Sequence, residues 1–464
     1  MPGLLKWTPQ FHATEFNRKT AMSRPCFSYT LRAIPLVFAM GTCSLPVQAQ
    51  SLVDLYNAAL GFDATYQSAK SQFNANLAKA DQAQSLMLPT ANLGAALSRS
   101  SQEVLPGTER GYGAQSATLS ASQPLYRPAN AASYEQGKKQ VELAQAQLKQ
   151  AEQDLIVKVS QAYFDVLASA DNLAFVKSQK TAVAEQLASA KRNFEVGTST
   201  ITDSREAQAR YDLVIAQELA ADNDLLVKTL ALNQLTGLVN AAPQALTTPI
   251  VLPVVEPNNV AIWVDNSEAN HPGIKQLAVA LEVAKLETTK AEAGHKPTLD
   301  LTGSYAAINN NGTSTAIADS RINVATVGLS FNLPLFAGFA TQNRIKETLA
   351  LEDKARTDLE ATKRTVAQGT RTAFYGVQSG LGQVKALEAA EASSQSALDA
   401  NKLGYQVGVR INIDVLNSQS QLFDTKAKLA KARYDVLLGG LKLRQAAGTL
   451  TADDLAPINT QLAK

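Results

Sequence analysis

Reactive chemistry needs ionisable, nucleophilic or metal-binding side chains gathered in one place. In this 464-residue chain such residues are sparse. Histidine occurs at His12, His271 and His295, and cysteine at Cys26 and Cys43. His271 and His295 lie 24 residues apart with no cysteine or paired carboxylates nearby, so they predict helix-end or surface positions rather than a metal site. No Gly-x-x-x-x-Gly-Lys-Ser/Thr run and no Gly-x-Gly-x-x-Gly is present to cradle phosphate. No catalytic residue, metal or cofactor is therefore expected. What recurs is a signature, "VGTSTITD" at 196–203 and "VGVRINID" at 407–414. Gly197 and Gly408 suit the left-handed residue that closes a helix. Asp203 suits the N-cap of the next helix, with Glu206 completing a capping box, and Asp414 can cap likewise.

These turns need elements to carry them, and the elements come in duplicate. "LPT" (88–90) matches "KPT" (296–298), and "QPLYRP" (123–128) matches "LPLFAG" (333–338). "AYFDVL" (162–167) matches "AFYGVQ" (373–378), and "LNQLTG" (232–237) matches "LRQAAG" (443–448). Each copy reads helix, two strands, two long helices. We place the copies at 50–237 and 266–448, with a Pro-rich linker at 238–265 that wraps the helices, and a tail at 449–464. Proline is absent from 129–242 and from 335–456. From 141 to 176 apolar residues, with Ser169 the one exception, recur at spacings of three and four, a coiled-coil seam. A helix over 129–195 would span roughly 100 Å at ~1.5 Å per residue. Gly376, Gly380 and Gly382 mark close packing or a bend. Tyr163, Phe164, Phe374 and Tyr375 are expected in inter-helix packing.

Four segments alternate apolar with small polar residues: 90–98, 116–126, 298–306 and 324–336. At about ten residues each they fit either membrane strands around a wet lumen or soluble half-buried hairpins. The polar stretches 101–113 and 309–321 read as the loops between paired strands. Four strands cannot close a barrel, since the smallest membrane barrels have about eight. An open edge in lipid leaves backbone groups unpaired, so membrane strands here would require several chains to share one barrel.

Residues 1–49 hold five basic residues, one acid and the apolar run "AIPLVFAMGTCSL" before "PVQAQ". That pattern predicts an export signal with an N-terminal extension, Met22 being an alternative start, and lipidation at Cys43 a weaker alternative. Both cysteines fall within it, so thiol chemistry is excluded from the mature chain. The remainder carries 38 Lys/Arg against 40 Asp/Glu, which excludes a generic nucleic-acid binder.

The duplicated plan, the "LP" and "PLF" strand borders, "AYFDVL" and both Val-Gly…Asp signatures together resemble the TolC family of bacterial outer-membrane channel-tunnel proteins. The resemblance covers essentially the whole chain after residue 49. It implies a mixed α/β homotrimer. A shared twelve-stranded barrel in outer-membrane lipid would continue as a helical coiled-coil tunnel through the periplasm. It implies docking to a periplasmic adaptor (membrane fusion) protein and an inner-membrane ABC or other transporter. Cargo would be protein, in type I secretion, which we favour, or small molecules, in efflux. It further implies an entrance latch, Tyr405 and Arg410 bonding to Thr202 and Asp203. Of two acidic positions that ring the family's entrance, Asp414 matches the first, while Asn417 departs from the second. A periplasmic coiled-coil adaptor or other structural protein is the competing reading, and it needs neither strands nor duplication.

Overall fold

A computed structural model describes residues 50–104, 107–247, 250–313 and 317–462. The expected export signal, with Cys26 and Cys43, lies outside the described residues. The first copy runs α1 (Leu52–Phe62), α2 (Ala64–Ser85), β1 (Thr90–Val104), β2 (Thr108–Tyr126), α3 (Pro128–Glu195) and α4 (Ile201–Thr236). The second repeats it as α5 (Val260–Asn270), α6 (Pro272–Glu292), β3 (Thr298–Asn311), β4 (Ser320–Asn332), α7 (Ala340–Gln406) and α8 (Asn412–Ala446). The last six residues placed in the linker, 260–265, form the start of α5 instead.

α3 has 68 residues and α7 has 67, so each reaches about 100 Å. A small residue lets α7 and α8 approach closely. A methyl on Gly380 of α7 would sit 2.8 Å from Val436 Cγ2 on α8, whereas Gly376 and Gly382 face open space. His271 caps α6, its Nδ1 accepting from Gly273 N at 3.1 Å, and His295 ends the short turn after α6.

The largest core lies midway along the helices, where Leu52, Tyr163, Phe164, Leu232, Leu437 and Leu455 meet. Tyr163 donates to Gln244 O at 2.6 Å, which secures the linker. Phe164 stacks on Tyr434 with centroids 5.8 Å apart, and Tyr434 donates to Asp171 at 2.6 Å. Burial lifts the Tyr434 hydroxyl above its ordinary range, and the bond to Asp171 adds to this. Phe374 is buried likewise, but Tyr375 is exposed.

The strands form one antiparallel sheet in the order β1-β2-β3-β4. Register puts Leu93, Leu119, Tyr305 and Ala325 in one rung, and Asn92, Ser120, Ser304 and Thr326 in the next. In these two rungs one face is apolar and the other small and polar. The apolar face is uncovered, with Leu93, Leu97 and Val327 78%, 82% and 81% exposed. At 13 to 19 residues the strands exceed the expected ten. Residues 101–104 and 108–113 pair as strand rather than loop, with Val104 opposite Thr108. Side-chain alternation fades toward the strand ends, but backbone pairing does not depend on it. Bidentate bonds from Arg127 Nε and Nη2 to Asp300, both 2.7 Å, tie the end of β2 to β3 where sheet meets helices.

Candidate gate at the helical tip

Two turns close the far ends of the long helices, and both have the same helix-closing geometry. Gly197 (φ 79°) and Gly408 (φ 77°) take the left-handed conformation. Thr198 N donates to Asn193 O at 2.8 Å and Gly197 N to Phe194 O at 3.0 Å. Val409 N to Gly404 O, 2.8 Å, and Gly408 N to Tyr405 O, 3.2 Å, repeat the pattern. These are Schellman closures, which use the last helical carbonyls.

The caps differ from expectation. Thr200, not Asp203, is the N-cap of α4. Its hydroxyl accepts from Asp203 N at 3.2 Å, and the Asp203 carboxylate accepts from Thr200 N at 3.0 Å. Asp203 is therefore the third residue of the box, and Glu206 has no part in it. In the second copy Ile411 stands at the N-cap and offers no side-chain bond. Asp414 occupies the same first-turn place, but its carboxylate faces Arg410 Nη1 at 3.7 Å. Both side chains are substantially exposed, so this pair is weak.

The expected latch is also rearranged. Among the described residues, neither Tyr405 nor Arg410 bonds to Thr202 or Asp203. Tyr405 Oη accepts from Asn193 Nδ2 at 3.2 Å. The stem of Arg410 folds back over Gly404, where a methyl would lie 2.7 Å from Arg410 Cγ. Its guanidinium faces Asp414 in the first turn of α8 instead. The Asp203 carboxylate is already spent on its box. Thr202 lies in the first turn of α4 and is exposed.

Other residues join the copies. Asn412, at 0% exposure, accepts from Gln186 Nε2 of α3 and donates to Asp203 O at 3.3 Å. Arg210 Nη2 of α4 donates to Asn417 Oδ1 at 2.8 Å. Sequence reasoning flagged Asn417 but missed Arg210, Gln186 and Asn412. Beneath these bonds Val183, Leu187, Ala207 and Val214 join α3 to α4, and Leu416 of α8 inserts among them. Further up, a groove of about 530 Å³ opens between α3, α4 and α8, lined by Phe175, Gln179, Arg210 and Phe423 among others.

Among the described residues no cluster of three or more His, Cys, Asp or Glu could hold a metal, and no helix is long and apolar enough to cross a membrane. The tip is built from hydrogen bonds and apolar contacts between the two copies.

Comparison with known proteins bears on the whole chain. The profile of the outer membrane efflux protein family matches residues 55–238 and 263–449. The chain is 33% identical to the Vibrio cholerae outer membrane protein TolC, covering 91% of this chain and 96% of that one. It is 29% identical to the alkaline protease secretion protein AprF of Pseudomonas aeruginosa, covering 88% and 86%. The fold superposes on the outer membrane protein VceC from Vibrio cholerae with a TM-score of 0.73 and 18% identity, covering 86% and 96%.

Proposed function

This chain belongs to the outer membrane efflux protein family, and on that premise we propose that three copies build one export conduit. Like its relatives it is a non-enzymatic channel of the outer membrane that extends into the periplasm. One observation carries the trimer. The described residues supply four strands with an uncovered apolar face and two outer edges without a partner strand. Lipid does not tolerate such edges, and three chains close a twelve-stranded barrel with room for a channel. The long helices continue that barrel as a tunnel, and their tips form its entrance. Asp414 lies at the narrowest point and contributes three carboxylates, where a doubly acidic entrance would contribute six. The tip meets a periplasmic adaptor, which couples it to an inner-membrane transporter.

We favour protein as cargo, in type I secretion, because a relative matched over most of its length is named for protease secretion. Small-molecule efflux is the second reading, favoured by the description of the family itself. A deletion strain separates them. Loss of secreted proteins with unchanged drug sensitivity supports the first, and the opposite phenotype replaces it with the second. The conduit itself is tested by alkaline extraction and planar-bilayer recording. A soluble monomer that forms no channel refutes it.

A further inference from the structure

The duplication extends to the pairing of the strands. Thr90 opens β1 and Thr298 opens β3, 208 residues apart. Thr90 pairs with Ser122 and Thr298 with Asn332, 210 residues apart, so the two hairpins share one register. Between the copies β2 pairs with β3, and there Leu119 meets Tyr305 and Gly113 meets Asn311. β4 is the equivalent of β2, and β1 is the equivalent of β3. Carried over by the same offsets, the junction within the chain sets the junction between chains. Leu329 of one chain then stands opposite Leu97 of the next, and Asn323 opposite Glu103. Leu329 and Leu97 both belong to the apolar face of the sheet, so the carried register matches face to face.

We propose that Arg321 of each chain pairs with Glu103 of the next across this β4–β1 junction, so that three such ion pairs hold the barrel closed at the end of the sheet remote from the helices. The inference rests on the reading of three chains as one barrel. Glu103 and Glu109 are direct cross-strand partners at the far end of the β1–β2 hairpin, and both are exposed. Like charges opposite one another destabilise a strand pair. Among the described residues Glu109 finds the Ser101 hydroxyl at 2.8 Å, and neither carboxylate has a cation. On the other edge Arg321 is exposed, faces Asn309 of β3 and has no carboxylate among the described residues. The sheet thus ends in two uncompensated acids on one side and an uncompensated base on the other.

The carried register brings the two together. Arg321 lies two residues from Asn323 on the same face, which makes it the diagonal neighbour of Glu103 in the next chain. Diagonal neighbours stand about 7–8 Å apart, within reach of a long side chain. The other basic residues of the hairpin do not serve. Arg99 shares the face of Glu103 but lies four residues along β1, roughly 13 Å at ~3.3 Å per residue. Arg110 pairs with Gln102 and so belongs to the opposite face. Backbone hydrogen bonds alone leave a junction free to slip by two residues, since such a slip keeps both faces in place. A cation beside two carboxylates adds a preference, because registers that carry Arg321 away from Glu103 restore the repulsion with Glu109.

The test uses the full-length protein assembled in outer membranes, with Cys26 and Cys43 replaced by serine. Asn323→Cys with Glu103→Cys should give covalent dimers and trimers on oxidation, because directly opposed strand positions stand within disulfide reach. Asn323→Cys with Arg99→Cys, four residues out of register, should give few. Without added cysteines, Arg321→Glu and Glu103→Arg should each speed dissociation of the trimer in mild detergent by roughly 3-fold or more. An exposed pair is worth about 1.4- to 5-fold, and three junctions multiply it. The two reversals together should restore most of the lifetime, and every difference should shrink at 1 M salt. Such rescue reports contact between chains, because β1 and β4 are opposite edges of one chain's sheet. Reversals whose effects simply multiply overturn the ion pair. Cross-links through Arg99→Cys in place of Glu103→Cys overturn the register and leave the trimer standing. If amine-reactive cross-linking finds wild type to be a monomer, the trimer reading fails and the junction with it.

Discussion

Asn417→Asp is the substitution that would restore a second acid near Asp414, and the structure gives it a less obvious outcome. Arg210 Nη2 already donates to Asn417 Oδ1 at 2.8 Å. A carboxylate in that place gains an ion pair from the first copy as well as adding charge to the proposed entrance. The site is exposed, so the pair is worth about 0.2–1 kcal/mol, or roughly 1.4- to 5-fold in the closed-to-open ratio for each chain that contributes one. Closure should therefore strengthen at 0.1 M salt. The gain should shrink at 1 M, where the screening length falls to about 3 Å. Block by divalent cations should rise only modestly, because Arg210 offsets the new charge. In an Arg210→Gln background the same substitution should raise cation block more and leave closure unaided. The assay is single-channel recording of four proteins, wild type, each single variant and the double, at both salt concentrations with a magnesium titration. Equal effects of Asn417→Asp with and without Arg210 would refute the pairing.

Three further outcomes follow from the same structure. Asp414→Ala should raise the magnesium concentration for half-block several-fold, and unchanged block would remove Asp414 from the constriction. Gly237 and Gly448 are equivalent left-handed residues of the two copies, and alanine at either costs roughly 1–2 kcal/mol for its backbone alone. At Gly448 the new methyl would also lie 2.5 Å from the backbone of His271, whereas at Gly237 it meets only the Phe62 ring. Thermal melting should therefore drop more for Gly448→Ala, and equal drops would contradict the contact. Asp63 is the third case. Burial pushes its carboxyl up, but bonds from Lys158, Tyr66 N and Thr65 N outweigh this and hold it below its usual range. The stability it gives is complete above about pH 4 and is lost as pH falls through its lowered folded value. Lys158→Met should therefore reduce the acid-labile part of stability, measured by denaturant unfolding between pH 7 and pH 3.

The long helices were legible because a coiled-coil seam writes itself into the sequence at spacings of three and four, and no proline interrupts it. Strand positions were legible where one face meets an apolar phase and the other water. Strand lengths were not, because Ser101 or Arg110 pairs its backbone as well as Leu119 does, with nothing in the side chains to mark it. The tip was half legible. Gly197 and Gly408 announced left-handed closures, but Thr200-x-x-Asp203 and Asp203-x-x-Glu206 both satisfy a capping rule. Only the length of the turn after Gly197 decides for Thr200. Asn412 escaped notice because an asparagine at the start of a helix looks like a cap. The signal that could have exposed it was the run of amides seven apart on α3, Asn172, Gln179, Gln186 and Asn193, a period already used for the apolar residues.

In the proposed trimer, the open outer edges of β1 and β4 would also govern inheritance. Each chain in a trimeric barrel closes both of its neighbours' sheets, so none can be faulty without leaving the ring open. A variant whose β1 edge cannot pair, but whose helices still assemble, would enter mixed trimers and spoil them. At equal expression with wild type, random mixing leaves only about one barrel in eight free of it. Lesions at the sheet edges would therefore be dominant, whereas lesions that prevent the chain from folding would be recessive.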